Sequence, residues 1–494
     1  MVNHYLAFDL GARSIRAIVG YFHNGKLHIK QLARSHNESI NVSGNLLWNA
    51  LGMYSDIIRG MTQCSKVCPD SLRSIGIDTW GVDFALLDIK GNLIGSPFAS
   101  RDKRTQGTKK DVISKIPEGR LYQLTGQALG EGRTLFQLYS MVRDDSPQLK
   151  IASDLLFMPD LYNYFLTGLK KSEFSVASAS LLYNLNTNTW EQEIFDTLGL
   201  PMNLMQEVVG PITYIGTLTH DISLKTGLKS VPVVAVVSHD TGSAVTAIPT
   251  QNPNVAYISS GTMSLIGIET DKPIINEKTR KYNFANQGGA CGTFRLIRNL
   301  QGFWILHECL NQWAKERYYS FDDLLRLAEE SVSLGSIIYP DYLGFVKPPS
   351  MPDEIKDYCR ITDQPIPQSV GQVVRIILES LALAYRYTIN QLNDIGLKKI
   401  ERVHIVGGGS QNRLLNQFTA DATGLPVYAG PVEASAIGNI LVQAMYYNVV
   451  SSINEARDIV ELSFHQEFFE PNPSCYWDEA YTRYQQIKQD EVYL

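Results

Sequence analysis

Residues 231–243 read Val231-Pro-Val-Val-Ala-Val-Val-Ser-His-Asp-Thr-Gly-Ser243. A short, continuous apolar run of this kind predicts a buried central strand, here ending in the polar cluster Ser238-His239-Asp240-Thr241. In open α/β sheets the ligand site lies beyond the carboxyl ends of the strands, so the cluster is placed to meet a substrate. Asp240 is the natural proton acceptor in it. Asp is equally a preferred N-cap, here for a helix Thr241 to Ile248, so the local sequence admits both roles.

Outward from this strand, β-rich runs alternate with amphipathic helices, the pattern of an α/β protein. Three stretches, Tyr5 to Ile29, Ser74 to Ile94 and Ala256 to Ile268, read as strand–turn–strand. In the first, Asn24-Gly25 is the favoured pair for a tight hairpin turn. In the second, Phe84-Ala-Leu-Leu-Asp88 and Leu93-Ile94 flank a turn at Lys90-Gly91-Asn92. Later, Gln411 to Thr423 lines up Leu414, Leu415, Phe418 and Ala422, with Gly424 as a stop. Val432 to Tyr447 repeats such a stripe, and Ser320-Phe-Asp-Asp323 reads as a capped helix start. The Pro- and Asn-rich connection Thr250-Gln-Asn-Pro-Asn254 predicts two domains, residues 1–248 and 249–494. Each opens with a strand and a Gly turn, Tyr5 to Gly11 and Val255 to Gly261, which points to an internal duplication.

Composition removes several function classes. With 44 basic and 50 acidic side chains, the formal charge of −6 provides no basic footprint for nucleic acid. The longest apolar run, Val231 to Val237, is far below the ~20 residues of a membrane helix. In Met1-Val-Asn-His-Tyr-Leu-Ala-Phe-Asp9 a carboxylate stands where a signal peptide carries its apolar stretch, so a cytoplasmic protein is expected. Six cysteines are sparse, and Cys64 and Cys68 have no further ligands nearby for zinc. Oligomeric state is not legible.

Two nucleotide motifs fail on inspection. Gly20, Gly25 and Lys26 have P-loop spacing, but Leu27 replaces the required Ser or Thr, and the segment runs strand to strand rather than strand to helix. Gly407-Gly408-Gly409 lacks the last glycine of the dinucleotide fingerprint. Three other clusters invite chemistry. Ile75-Gly-Ile-Asp-Thr-Trp-Gly-Val-Asp-Phe84 sets Asp78 and Asp83 around Trp80 and Gly81, which suits a sugar; Trp80 as plain core is the alternative. Asp9-Leu-Gly11-Ala12-Arg13-Ser14-Ile15-Arg16 and Ser259-Ser-Gly261-Thr262 are turns whose N–H groups and hydroxyls can cradle phosphates. Asp9 would then lie near their magnesium.

Asp9-Leu-Gly with Arg16, Ser260-Gly-Thr262 and Val406-Gly-Gly-Gly409 together resemble the actin-like, ribonuclease-H-like ATPases, and within them the FGGY carbohydrate kinases. Gly76-Ile-Asp-Thr-Trp-Gly-Val-Asp83, Ser238-His-Asp-Thr241, Gly430-Pro-Val-Glu-Ala-Ser435 and Gly438-Asn439 look like bacterial members acting on L-rhamnulose. The likeness runs from about residue 5 to 473. It implies two ribonuclease-H-like domains with an interdomain cleft, the first mainly sugar-binding and the second mainly nucleotide-binding. It also implies transfer of the γ-phosphoryl group of ATP, with magnesium, to the 1-hydroxyl of L-rhamnulose in rhamnose catabolism. Carried over by resemblance, Asp240 is the base, and Gly81, Asp83, His239, Thr241 and Asn299 join it at the sugar. Ala12, Arg13, Ser14, Ile15, Arg16, Thr262, His307 and Gly408 fall at the nucleotide, and Asp9 at the metal. Arg16 would supply the positive charge that no P-loop lysine provides. Arg13 and Ile15 stand where relatives carry small residues, and His307 where they carry Gln. Thr419 and Thr423 replace a cysteine pair of some relatives, so no disulfide is expected there. A kinase for another sugar, such as L-fuculose or xylulose, and a non-catalytic actin-like ATP-binding protein are the rival readings.

Overall fold

The computed structural model describes residues 2–333 and 335–490. Two compact units emerge, and each is discontinuous in sequence. The first holds the residues up to Gln251 together with Glu269–Leu296 and Glu433–Phe464; the second holds Asn252–Ile268, Ile297–Val432 and the residues from His465 on. The division expected from the Pro- and Asn-rich connection was at residue 248 with two contiguous domains; the opening segment of the first unit ends at Gln251. Sequence order alone gives no sign that two later segments return to the first unit.

In the first unit, strands β1 (His4–Leu10), β2 (Ser14–His23), β3 (Lys26–His36), β4 (Leu72–Thr79), β5 (Thr213–Thr217) and β6 (Pro232–Ala235) form one sheet in the order β5-β6-β4-β1-β2-β3. β1 to β3 form an antiparallel meander, whereas β4 runs parallel to β1 and β6 parallel to β4. The β2–β3 turn puts Asn24 at φ 50° and Gly25 at φ 74°, the pair of positive values that this hairpin needs. The second sheet repeats the pattern. β7 (Val255–Ser260), β8 (Met263–Thr270), β9 (Phe294–Gln301), β10 (Arg402–Val406), β11 (Val427–Ala429) and β12 (Glu467–Phe469) are ordered β9-β8-β7-β10-β11-β12, and a short strand Ala285–Gly288 adds an edge beyond β9. β10 runs parallel to β7, and β11 parallel to β10. That added edge apart, both sheets run third, second, first, fourth, so the duplication suggested by two Gly-turn openings is present in the topology.

The predicted hairpin over Ser74 to Ile94 is only partly formed. Phe84–Leu87 pairs with Asp154–Phe157, and the return arm shrinks to a single Leu87–Leu93 bridge. Gly95 at φ 69° bends the chain away before a longer arm can form.

Helix α1 (Ala50–Val67) covers one face of the first sheet, where its Met53, Ile57, Met61 and Cys64 join Leu6, Phe8, Ile75, Ile77 and Val233 in one core cluster. Cys64 near the end of α1 and Cys68, its C-cap, bring their sulfurs to 3.2 Å. On the other face lies α5 (Ala434–Tyr446), approaching so closely that a Cβ on Gly76 would fall 2.4 Å from Asn439 Oδ1 and 2.6 Å from a Val236 methyl. The contact is polar. Gln443 Nε2 donates to the Leu6 carbonyl (3.1 Å), and Ser74 Oγ donates to Gln443 Oε1 (2.8 Å). Between these in sequence lie α2 (Asp240–Thr246), α3 (Val370–Ile395) and α4 (Arg413–Thr423). Gly424 at φ 67° ends α4, and Ser320 with Asp323 forms a reciprocal cap on Phe321–Glu330, both as the sequence predicts. Among the described residues no helix is long and apolar enough to cross a membrane.

Candidate active site

At the carboxyl ends of β1, β4 and β6 the first unit gathers three carboxylates. Strand pairing does this directly: Asp9 on β1 stands opposite Arg16 on β2 and beside Asp78 on β4. The chain leaving β6 is tied to β4, where Thr79 N donates to Ser238 O (2.8 Å). That tie fixes the segment that carries Asp240.

The structure removes one of the two roles left open for Asp240, that of the cap. His239 occupies the N-cap position of α2 and Asp240 is the first helical residue. Its carboxylate therefore does not cap the helix; Oδ1 accepts from the N–H and the hydroxyl of Thr241. The Asp240 side chain keeps 30 % of its surface exposed, so it can meet a solute. Burial of the rest, and next the charge of Asp9, push its carboxyl up to about 6. His239 Nε2 lies 3.6 Å from Asp240 Oδ1. Burial first, then the charges of Arg295 and Arg133, hold that imidazole well below its ordinary pKa, so it is neutral at pH 7. A Cβ on Gly81 would sit 3.5 Å from the same ring, so the Gly81 backbone lies against it.

Asp78 and Asp83 part company. Asp78 is fully buried and accepts from Asn439 Nδ2 (2.6 Å). Burial first, then the charge of Asp9, raise its carboxyl well above the usual range. Asp83 instead accepts from both indoles, Trp48 Nε1 (2.7 Å) and Trp80 Nε1 (2.9 Å), and from Gln137 Nε2 (2.8 Å). Those donors engage both oxygens of a buried carboxylate, so Asp83 anchors Trp80. Val82 between them has φ 75°, a strained value for a β-branched residue, and this bend turns the two carboxylates apart. Trp80 is partly exposed and its ring packs against Trp48 at 4.2 Å between centroids. Asn299 is an exposed residue of β9.

Among the nucleotide candidates of the first unit, Ala12 and Arg13 are exposed at a tight turn closed by Gly11 N to Ser14 O (2.9 Å). Ile15 belongs to the apolar core, so only its backbone is available to a ligand. Arg16 donates to Asp9 and to Glu433 Oε2, and Asp9 foremost holds its proton more firmly still. Its charge is thus already neutralised by two carboxylates. Burial raises the Asp9 carboxyl, and Arg16 opposes that rise. In the second unit, the β7–β8 turn holds Thr262, whose carbonyl accepts from Gly302 N (3.2 Å) and Trp304 N (3.0 Å). His307 lies on the helix that Trp304 begins. The turn after β10 presses against the same place: a Cβ on Gly409 would be 2.0 Å from Ser260 Oγ and 2.9 Å from the Phe303 ring. Gly408 beside it is open, with nothing within 4 Å of a Cβ. Thr262, His307 and Gly408 thus gather at one end of this sheet.

Several neighbours of these groups carry no recognisable sequence signal: Arg295 beside His239, Gln137 on Asp83, and Glu173 and Ser175 behind the Asp240 segment. Glu433 and Asn439 fall within motifs that the resemblance singled out, although no role came with them.

Known proteins match the chain over most of its length. Residues 4–247 match the N-terminal domain and residues 256–447 the C-terminal domain of the FGGY family of carbohydrate kinases. The chain belongs to the FGGY family of carbohydrate kinases. A rhamnulokinase of Bacteroides thetaiotaomicron is 41% identical over 98% of this chain and 99% of its own, and one of Oceanobacillus iheyensis is 37% identical over 93% and 96%. The FGGY fold is also that of a xylulose kinase from Lactobacillus acidophilus, at a TM-score of 0.83 and 15% identity over 99% of this chain and 98% of that one. As an FGGY kinase the chain uses ATP as its phosphoryl donor.

Proposed function

We propose that this FGGY kinase transfers the γ-phosphoryl group of MgATP to the 1-hydroxyl of L-rhamnulose, with Asp240 as the base. The sugar is inferred from near-full-length relatives that carry the name rhamnulokinase. The observation that carries the chemistry is the partly open Asp240 carboxylate at the strand end, with a pKa of about 6 beside a neutral histidine. A base with that pKa is ionised at pH 7 yet basic enough to take a hydroxyl proton as the oxygen attacks phosphorus. Neutral His239 and Thr241 would orient the ketose by hydrogen bonds, the Gly81 backbone would admit it close to them, and Trp80, held by Asp83, would supply an apolar face. Phosphoryl transfer otherwise asks for alignment and charge neutralisation. We assign ATP phosphate contacts in the first unit to the backbone and side chains of residues 12–16, and nucleotide contacts in the second unit to Thr262, Gly408 and His307.

Magnesium would arrive with the phosphates. Among the described residues no cluster of three metal-ligating side chains forms a resident site. Hard carboxylate oxygens at Asp9 suit an ion whose other ligands are phosphate and water, and that ion would neutralise charge on the transferring group. A cytoplasmic location fits a consumer of ATP. The test is a coupled ADP-release assay over L-rhamnulose, L-fuculose, xylulose and glycerol, with the phosphorylated position of the product assigned by NMR. L-rhamnulose should give the highest kcat/KM and the 1-phosphate; a better rival sugar would overturn the substrate assignment.

A further inference from the structure

Behind the Asp240 segment lie two buried carboxyl groups that the chemistry above does not use. Glu173 is 1 % exposed and Asp160 3 %, and Asp160 Oδ1 accepts from Glu173 N (3.1 Å). Burying two carboxyls without a cation is costly, so a compensating task is to be sought. The hydrogen bonds of Glu173 point to one. Its Oε2 accepts from Ser175 N (2.9 Å), from the Ser175 hydroxyl and from Ser238 N (3.2 Å). The Ser175 hydroxyl, which donates its hydrogen bond to Glu173, accepts in turn from His239 N (2.9 Å). Two consecutive N–H groups, those of Ser238 and His239, are therefore held by side chains more than 60 residues earlier in the chain.

On its other side the same segment is tied by Thr79 N to Ser238 O, and the His239 carbonyl accepts from Gly242 N (2.7 Å) to start α2. The backbone that immediately precedes Asp240 has no slack. Burial pushes the Glu173 carboxyl up to about 7, while the donors from Ser175 and Ser238 pull it back. Sheet pairing does not account for this arrangement: the parallel bridge of His239 with Thr79 uses the Ser238 carbonyl, not the Ser238 and His239 N–H groups.

We propose that Glu173, acting partly through Ser175, is a positioning residue for phosphoryl transfer: it fixes the Ser238–His239 backbone and so aims the Asp240 carboxylate at the sugar hydroxyl. The inference rests on Asp240 being the base. Misplacement of a catalytic group by about 1 Å can cost on the order of 10²-fold in rate.

The experiment uses the full chain with Ser175→Ala, Glu173→Ala, Glu173→Gln and Asp240→Asn, reading kcat, both KM values and the thermal midpoint. Ser175→Ala removes one hydroxyl and serves if Glu173→Ala does not fold. The expected result is a fall in kcat of roughly 10- to 100-fold for both alanine variants, with KM for MgATP within about twofold of wild type. Glu173→Gln should recover most of kcat, since its amide oxygen can accept the same donors. A wild-type kcat in Ser175→Ala with a lowered thermal midpoint would mean a purely structural role and overturn the proposal. If Asp240→Asn loses turnover while Ser175→Ala does not, the positioning role alone fails. If Asp240→Asn keeps wild-type turnover, the base assignment fails and takes this inference with it.

Discussion

Replacing Asp240 by Asn should make the protein more stable at alkaline pH, and the size of the gain follows from the site. The Asp240 carboxyl is raised from 3.8 to about 6 by burial and by the charge of Asp9. At 1.36 kcal/mol per pH unit this difference corresponds to about 3 kcal/mol, an upper bound because water reaches the exposed edge of the side chain. The sign is set by which state holds the proton. Between pH ~4 and ~6 the folded protein keeps a proton that the unfolded chain has already released, so wild-type stability falls as pH rises through that window. Above it the full cost of an ionised, half-enclosed carboxylate is present. Asn carries no charge to bury, and its amide oxygen can still accept from Thr241. The difference in thermal midpoint, Asp240→Asn variant minus wild type, should therefore be positive at pH 8, shrink below pH 6 and vanish near pH 4. A difference that does not change with pH, or a variant less stable at pH 8, would refute the claim that Asp240 is held ionised at a cost.

Gly76→Ala should destabilise the first unit by about 1–3 kcal/mol, the range for overpacking, because its Cβ would strike Asn439 and Val236; denaturant titration checks this. Gly81→Ala has room beside the His239 ring at 3.5 Å, so it should leave the thermal midpoint in place while raising the sugar KM roughly tenfold or more. Gly409→Ala would displace Ser260 and Phe303 and should raise KM for MgATP more than KM for the sugar, as initial-rate kinetics would show. Turnover of the wild-type enzyme should drop as pH falls through about 6, when Asp240 takes up its proton, and a kcat profile flat from pH 5 to 8 would contradict that.

The sequence carried the strand ends well. Val231 to Val237 followed by Ser238-His239-Asp240 is legible because a buried strand and a polar exit differ so sharply in composition. That Asp240 does not cap the helix was not, since cap and first helical residue differ by one position in where the helix begins. Asp78 and Asp83 look like a pair on paper; the left-handed Val82 between them separates them, and no propensity rule places a valine there. Arg16 reads as a free positive charge until Glu433, 417 residues away, is seen to share it with Asp9. The same distance problem hides Glu173 and Ser175, which reach Ser238 and His239 across more than 60 residues. Local pattern reports which residues lie at strand ends; which of them meet depends on tertiary pairing.

The most direct measurement is kcat of Asp240→Asn with saturating L-rhamnulose and MgATP, alongside ATP affinity measured by calorimetry. Loss of the proton acceptor should lower kcat by about 10²–10⁴-fold while ATP affinity stays within about twofold. Turnover equal to wild type would contradict the account at its centre.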